Sequence, residues 1–302
     1  VNTALLLLPD FALIALGSVL WRHGNLDTGF WVGLEKVVYF VLFPALLFTA
    51  VARAPLSLSA AAPLLQVVML VIVMGMGLGL LARPWMRSAN ATQTWASLFQ
   101  CGFRFNSYIA LALAGRLAGE AGIALMGIVI GVSVPVVNAA AVWALARHSE
   151  LGLLKELARN PLLLATAAGL LFNVAAQNWG LTLSEPLAAS LSRLGAASIA
   201  LGLIAVGAGL RIDGFRTARG ALVYFTGVKL VLLPIAALGL GKLSGLSGLN
   251  LQIALLFSTL PTASSAYVLA QRMGGNGPVV AAAITLGTIF SSLTIPLWLS
   301  RI

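Results

Sequence analysis

The sequence predicts an all-α membrane protein of ten membrane-crossing helices, arranged as two inverted repeats of five. Three observations predict it. Of the 302 residues, 60% are hydrophobic and 9% charged, with a mean hydropathy of +1.01, where a soluble domain carries roughly 25% charged residues. The apolar residues fall into ten stretches near the length of about 20 residues that a hydrocarbon core about 30 Å thick requires. The longest joint between them, Arg147 to Asn160, lies midway along the chain and leaves five stretches on either side.

In order, the stretches are 4–21, 31–52, 61–82, 93–117, 121–146, 161–178, 187–210, 219–241, 250–272 and 278–300. The first has neither a basic leading segment nor an A-x-A-like cleavage site, so it reads as a span and not as a cleaved signal. The joint RHSELGLLKELARN has helical spacing and mixed charge and reads as a cytoplasmic linker, 147–160, between a first repeat, 1–146, and a second, 161–302. An odd number of spans per half makes the second half enter from the opposite face, which is an inverted repeat. A gapless offset of 156 residues lays AGRLAGE (Ala114 to Glu120) over AQRMGGN (Ala270 to Asn276) and Gly131 over Gly287.

The formal charge of +10 comes from 18 Lys and Arg against 8 Asp and Glu. The cations stand singly between apolar runs, so they read as topology signals and not as a nucleic-acid patch. Odd-numbered joints hold Arg22, Arg83, Arg87, Arg147, Lys155, Arg159, Arg211, Arg216, Arg219 and Arg272, while the even joints and C-terminus hold only Arg53, Arg116, Lys242 and Arg301. Positive residues favour the cytoplasm, so both termini are expected outside it.

Several chemistries are excluded or disfavoured. Cys101 is the one cysteine, so the chain has no intrachain disulfide or thiolate cluster, and His23 and His148 are far apart in sequence. GLGKLSG at Gly239 to Gly245 has Leu243 where a phosphate-binding loop needs Ser or Thr. GMGLGL at Gly75 to Leu80 lacks the third glycine of a dinucleotide fingerprint and, like Gly127 and Gly131, reads as close helix packing. No cofactor, resident metal or enzymatic role is expected. The expected partners are the lipid bilayer and a small solute, with a homodimer an open assembly state.

Unpaired backbone amides cost several kcal/mol each in hydrocarbon, so a broken span survives only in a protein interior or beside a watery cavity. Span nine carries Pro261 near its middle, followed by Thr262, Ser264 and Ser265. Proline removes an amide donor and disfavours helix at the residue before it. Span four is interrupted by Arg104, Asn106, Ser107 and Tyr108, and the same offset lays Phe105 on Pro261 and Asn106 on Thr262. Matched interruptions in matched halves are the pattern of crossed, half-unwound helices at a transport site, whose helix N-termini suit a carboxylate.

Charges near mid-membrane cost about 2.5–3.5 kcal/mol on insertion scales. Arg104 either clamps a substrate carboxylate or braces the fold through a carbonyl. Lys229, in GVKLVLLP, either carries the coupling charge or ties helices together. Asp10, after Pro9, is either a proton or sodium carrier or a helix cap. Glu35 and Lys36 are expected to reach the headgroups. Gln66, Asn138, Asn173 and Thr294 read as interhelical hydrogen bonds, with Asn138 the first to promote to the site.

VVYFVLFPALLF, FRFNSYIALALAG, GVKLVLLP and LPTASSAYVLAQRMGGNGPVVAAAITLGTIFSSLTIPLW together resemble the auxin efflux carrier family, over nearly the whole chain. The resemblance implies a fold similar to bile-acid sodium symporters, with helices 4 and 9 crossing in a core (helices 3–5 and 8–10) that moves against a scaffold (helices 1, 2, 6 and 7). It implies elevator-type secondary transport of a small organic anion: auxin in plant members, dicarboxylates such as malate or malonate in some bacterial ones. Asn106 and Pro261 take the crossover roles, with Arg104, Ser107, Thr262 and Ser264 nearby. Plant members carry proline at both crossings and often a long central loop. Here the first crossing has Phe105 and Asn106, and the short Arg147 to Asn160 joint points to a bacterial-type member, in an inner membrane. Proton coupling or uniport is expected over sodium, since no acid stands near either break. The alternatives are a sodium-coupled symporter and a non-transporting sensor.

Overall fold

The computed structural model describes residues 3–53, 58–86, 91–145, 161–211 and 215–302. The expected linker 147–160 and Arg87 lie outside the described residues. Within them the chain is helical, without a strand, and six stretches are long and apolar enough to cross a membrane: Thr28–Arg53, Ala61–Trp85, Ala91–Leu145, Glu185–Ala208, Arg219–Leu243 and Gly277–Leu299. The protein is therefore an α-helical membrane protein. Thr3–His23 and Pro161–Trp179 add helices of 21 and 19 residues.

In chain order the helices are α1 (Thr3–His23), α2 (Thr28–Val37), α3 (Phe43–Arg53), α4 (Leu58–Leu81), α5 (Ala91–Phe99), α6 (Ser107–Leu145) and α7 (Pro161–Trp179). They continue as α8 (Glu185–Ala208), α9 (Arg219–Gly227), α10 (Leu233–Leu243), α11 (Gly248–Thr259), α12 (Ser265–Arg272) and α13 (Gly277–Leu299). α6 is two helices in one, because Ala118 and Gly119 leave helical geometry and Gly119 takes a φ of 55°. A side chain is rarely accommodated there, so glycine permits the reversal at the joint expected after residue 117.

Two π-helical turns, Val38–Leu42 and Val228–Leu232, join α2 to α3 and α9 to α10. Each is followed after one residue by a proline, Pro44 or Pro234. Proline cannot donate to the carbonyl four residues back and crowds it. The widened turn relieves that conflict, and the amides of Phe43 and Leu233 bond to the carbonyls of Val38 and Val228. The second of these turns carries Lys229 at its second position.

Packing places α1 along α8, and α3 along α7 and α8, while α4, α10 and α11 pack together and α4 and α11 both meet α6. Small residues set the closest approaches. A Cβ at Gly17 would collide with the carbonyl of Ile204, and one at Gly207 with the carbonyl of Ile14, so α1 and α8 meet backbone to backbone. Gly127 lies against Leu47 and Gly131 against Thr166, and Gly75 of GMGLGL faces the carbonyl of Gly102. Asn173 donates to the carbonyls of Val51 and Ala52 at 3.1 and 3.0 Å, joining α7 to α3 as an interhelical bond.

Candidate functional site

The two interruptions expected from sequence meet. α5 ends in a tight turn over Gln100–Gly102, and the chain runs without helix through Asn106 before α6 begins at Ser107. α11 ends at Thr259, and Leu260 to Ala263 run without helix before α12. At the crossing the Asn106 amide donates to the Pro261 carbonyl at 2.8 Å. The Thr262 hydroxyl donates to the Cys101 carbonyl at 3.1 Å, and Gln100 Nε2 donates to the Ala266 carbonyl at the same distance. Backbone groups released by each break are thus partly satisfied by the other strand of the crossing, which is how an open ladder survives in an apolar interior.

The Asn106 side chain caps α6: its Oδ1 accepts from the amides of Tyr108 and Ile109 at 3.0 and 3.2 Å. Phe105 packs against Phe257 with the rings tilted and their centroids 4.6 Å apart, and Tyr108 lies parallel on Phe43 at the same separation. Gly287 leaves room for Pro261, which a Cβ there would only touch, at 3.6 Å. Both helices that leave the crossing, α6 and α12, present first-turn amides and the positive end of a helix dipole towards it.

Arg104 is buried, and its guanidinium donates to Gln100 Oε1 (2.9 Å), Asn138 Oδ1 (2.9 Å) and Ser265 Oγ (3.2 Å). It links α5, the second part of α6 and the start of α12, which brings the predicted residues Asn138 and Ser265 to the crossing. Ser264 lines a separate cavity of about 280 Å3 beside it. Lys229 is buried next to the crossing, shares a small void with Cys101, Thr262 and Gly287, and its Nζ has no hydrogen-bond partner among the described residues. Its nearest described aromatic face is Phe257, whose ring centre is 5.7 Å from Nζ.

Asp10 is engaged elsewhere. It stands inside α1, which begins at Thr3, so it does not cap that helix, and its carboxylate accepts from Arg116 Nε at 3.3 Å. Thr294 Oγ1 is buried without a hydrogen bond among the described residues, unlike the interhelical bond expected of it.

Two residues at the cavity beside Ser264 were not legible as site residues. Arg211 follows α8, and its guanidinium carbon lies 4.2 Å from the centre of the Trp21 ring. Glu35 of α2, expected at the headgroups, lines the same cavity. Arg211 had the sequence signature of a topology cation, and only the approach of α1, α2, α12 and α13 to the end of α8 gives it another context.

Residues 145–299 match the model of the family described as membrane transport protein. The chain is also 25% identical over 297 residues to an "Uncharacterized transporter" of Methanothermobacter thermautotrophicus, covering 96% of this chain and 95% of that protein. A "Putative malonate transporter" of Rhizobium meliloti is 25% identical over 311 residues, covering 96% of this chain and 92% of the relative.

Proposed function

This chain belongs to the membrane transport protein family, in agreement with its resemblance to auxin efflux carriers, and on that premise we propose that it is a secondary carrier of a small organic anion. The observation that carries the reading is the crossing held by the Asn106 amide on the Pro261 carbonyl. Two helix N-termini converge there on one interior point, and their dipoles stabilise a carboxylate without requiring a buried metal or a fixed acid. A dicarboxylate such as malonate or malate is the first substrate to test, following the name of one relative, and an auxin-like acid the second.

The proposed architecture is ten spans in two inverted sets of five, with the crossing on the group that moves. Its support is the matched place of the two breaks in the sequence and the packing of α1, α3, α7 and α8 as one group. Movement of the other helices past that group exposes the crossing to each face in turn, an elevator-type cycle. Both termini are proposed to be extracytoplasmic, by the distribution of cations. Lys229 is the proposed coupling residue: a buried ammonium with no hydrogen-bond partner among the described residues, close to Thr262, is expensive in place and gains from exchanging its proton or meeting an anion.

Reconstitution into liposomes tests the reading. Uptake of radiolabelled malonate, malate or an aryl acetate driven by a pH step supports a proton-coupled carrier. Uptake that needs a sodium gradient supports the bile-acid type of symporter, and silence across the anion panel with folded protein favours a sensor. Asn106→Ala and Pro261→Ala are each expected to abolish uptake while folded protein is retained, and wild-type turnover in both removes the crossing from the site.

A further inference from the structure

The cavity of about 280 Å3 between α1, α2, the end of α8, α12 and α13 contains two opposite charges that do not pair. On one wall, Arg211 is held rigidly. Its guanidinium lies on Trp21, its Nη1 donates to the carbonyls of Ala208 and Leu210 at 2.9 and 3.0 Å, and its own amide and carbonyl are both bonded to the Thr285 hydroxyl. The Nε and Nη2 groups carry no hydrogen bond among the described residues. Glu35, also on the wall, makes no hydrogen bond or ion pair among the described residues. Trp31, 5% exposed and lining the same cavity, has its indole N–H without a partner among the described residues.

A guanidinium preorganised by stacking and by two carbonyls, with two donors left over, is built to receive a planar carboxylate. The volume is below the 300–1,000 Å3 typical of drug-sized ligands, so the solute is small. We infer that Arg211 receives the substrate carboxylate in this cavity before the crossing beside it takes the solute, and that Glu35 is the selector there, admitting a neutral or cationic group at the other end of the solute and rejecting a second carboxylate. A dianion bound at Arg211 brings its second charge into the same small, mostly apolar space as Glu35, where like charges repel strongly. A neutral amide of the same shape carries no such penalty. The inference rests on the carrier reading above and names the substrate class within it: small monocarboxylates in preference to dicarboxylates.

The test uses an isosteric pair, malonate and its half-amide malonamate, offered at neutral pH to reconstituted protein. Wild-type protein is expected to take up malonamate at least tenfold faster than malonate. Glu35→Gln is expected to shrink that ratio at least fivefold, by raising malonate uptake. Arg211→Gln is expected to depress uptake of both at least tenfold, with Arg211→Lys retaining part of it. Thermal melting in detergent establishes that each variant is folded, and Glu35→Ser replaces the glutamine variant if that one does not fold. An unchanged ratio in the Glu35 variant, or wild-type uptake in folded Arg211→Gln, overturns the inference while leaving the carrier reading in place. Wild-type protein that moves neither compound, nor any other anion, sinks the carrier reading itself and this inference with it.

Discussion

The Asp10–Arg116 pair makes an asymmetric prediction. Its two members are unequally exposed: the Asp10 side chain is 4% accessible and that of Arg116 46%, with 3.3 Å between Oδ2 and Nε. At that distance the attraction is about 5 kcal/mol at an effective dielectric of about 20. Solvent at the arginine and the desolvation of both ions reduce the net value to about 1–2 kcal/mol. Removing the cation with Arg116→Gln leaves a carboxylate buried in α1 without its partner, and the expected loss is about 2–3 kcal/mol. Removing the acid with Asp10→Asn leaves an arginine free to turn into water, with an expected loss of about 1 kcal/mol or less. For a chain of this length about 2 °C of melting temperature goes with each kcal/mol, so the variants should differ by roughly 2–4 °C in detergent. The double variant should recover about 1–2 kcal/mol relative to the sum of the singles. Equal losses in the two single variants, or strict additivity in the double, would refute the reasoning that burial of the acid makes the pair asymmetric.

Three further outcomes follow from the same packing. Gly207→Ala should destabilise the protein by at least about 2 kcal/mol, because the new Cβ strikes the Ile14 carbonyl where α1 and α8 meet by backbone; differential scanning calorimetry in detergent reads it, and Gly77→Ala, which meets nothing within 4 Å, is the neutral control. Asn173→Ala should cost about 0.6–2 kcal/mol, the value of interhelical bonds in a bilayer, since it frees the carbonyls of Val51 and Ala52; a melt unchanged within error would show those bonds to be idle. Lys229→Met should raise the melting temperature, by removing a buried ammonium that lacks a hydrogen bond among the described residues, and should abolish any uptake that responds to a pH step. A variant with wild-type pH response would free Lys229 from the coupling role.

What the sequence by itself determined is the class of protein and the place of its breaks. Composition demands a bilayer, because a chain that is 60% hydrophobic and 9% charged has too little polar surface to face water. Pro261 and the polar run Arg104 to Tyr108 demand interruptions, because a proline and clustered polar groups conflict with a lipid-facing helix. Both effects are local, acting within a few residues along the chain, and are therefore visible without a structure. The prolines at 44 and 234 held an equally local signal, and the π turns ahead of them follow from it. Tertiary structure alone decided which strand each break meets: Asn106 finds Pro261 from 155 residues away, and Arg104 finds Asn138 and Ser265. It also placed Asp10, read from sequence as either an ion carrier or a cap, in an ion pair, and brought Glu35 and Arg211 to one cavity. Pairings of this kind depend on how helices pack across the whole chain, and the side chains involved carry no mark in sequence that separates a partnered charge from one left open to a solute.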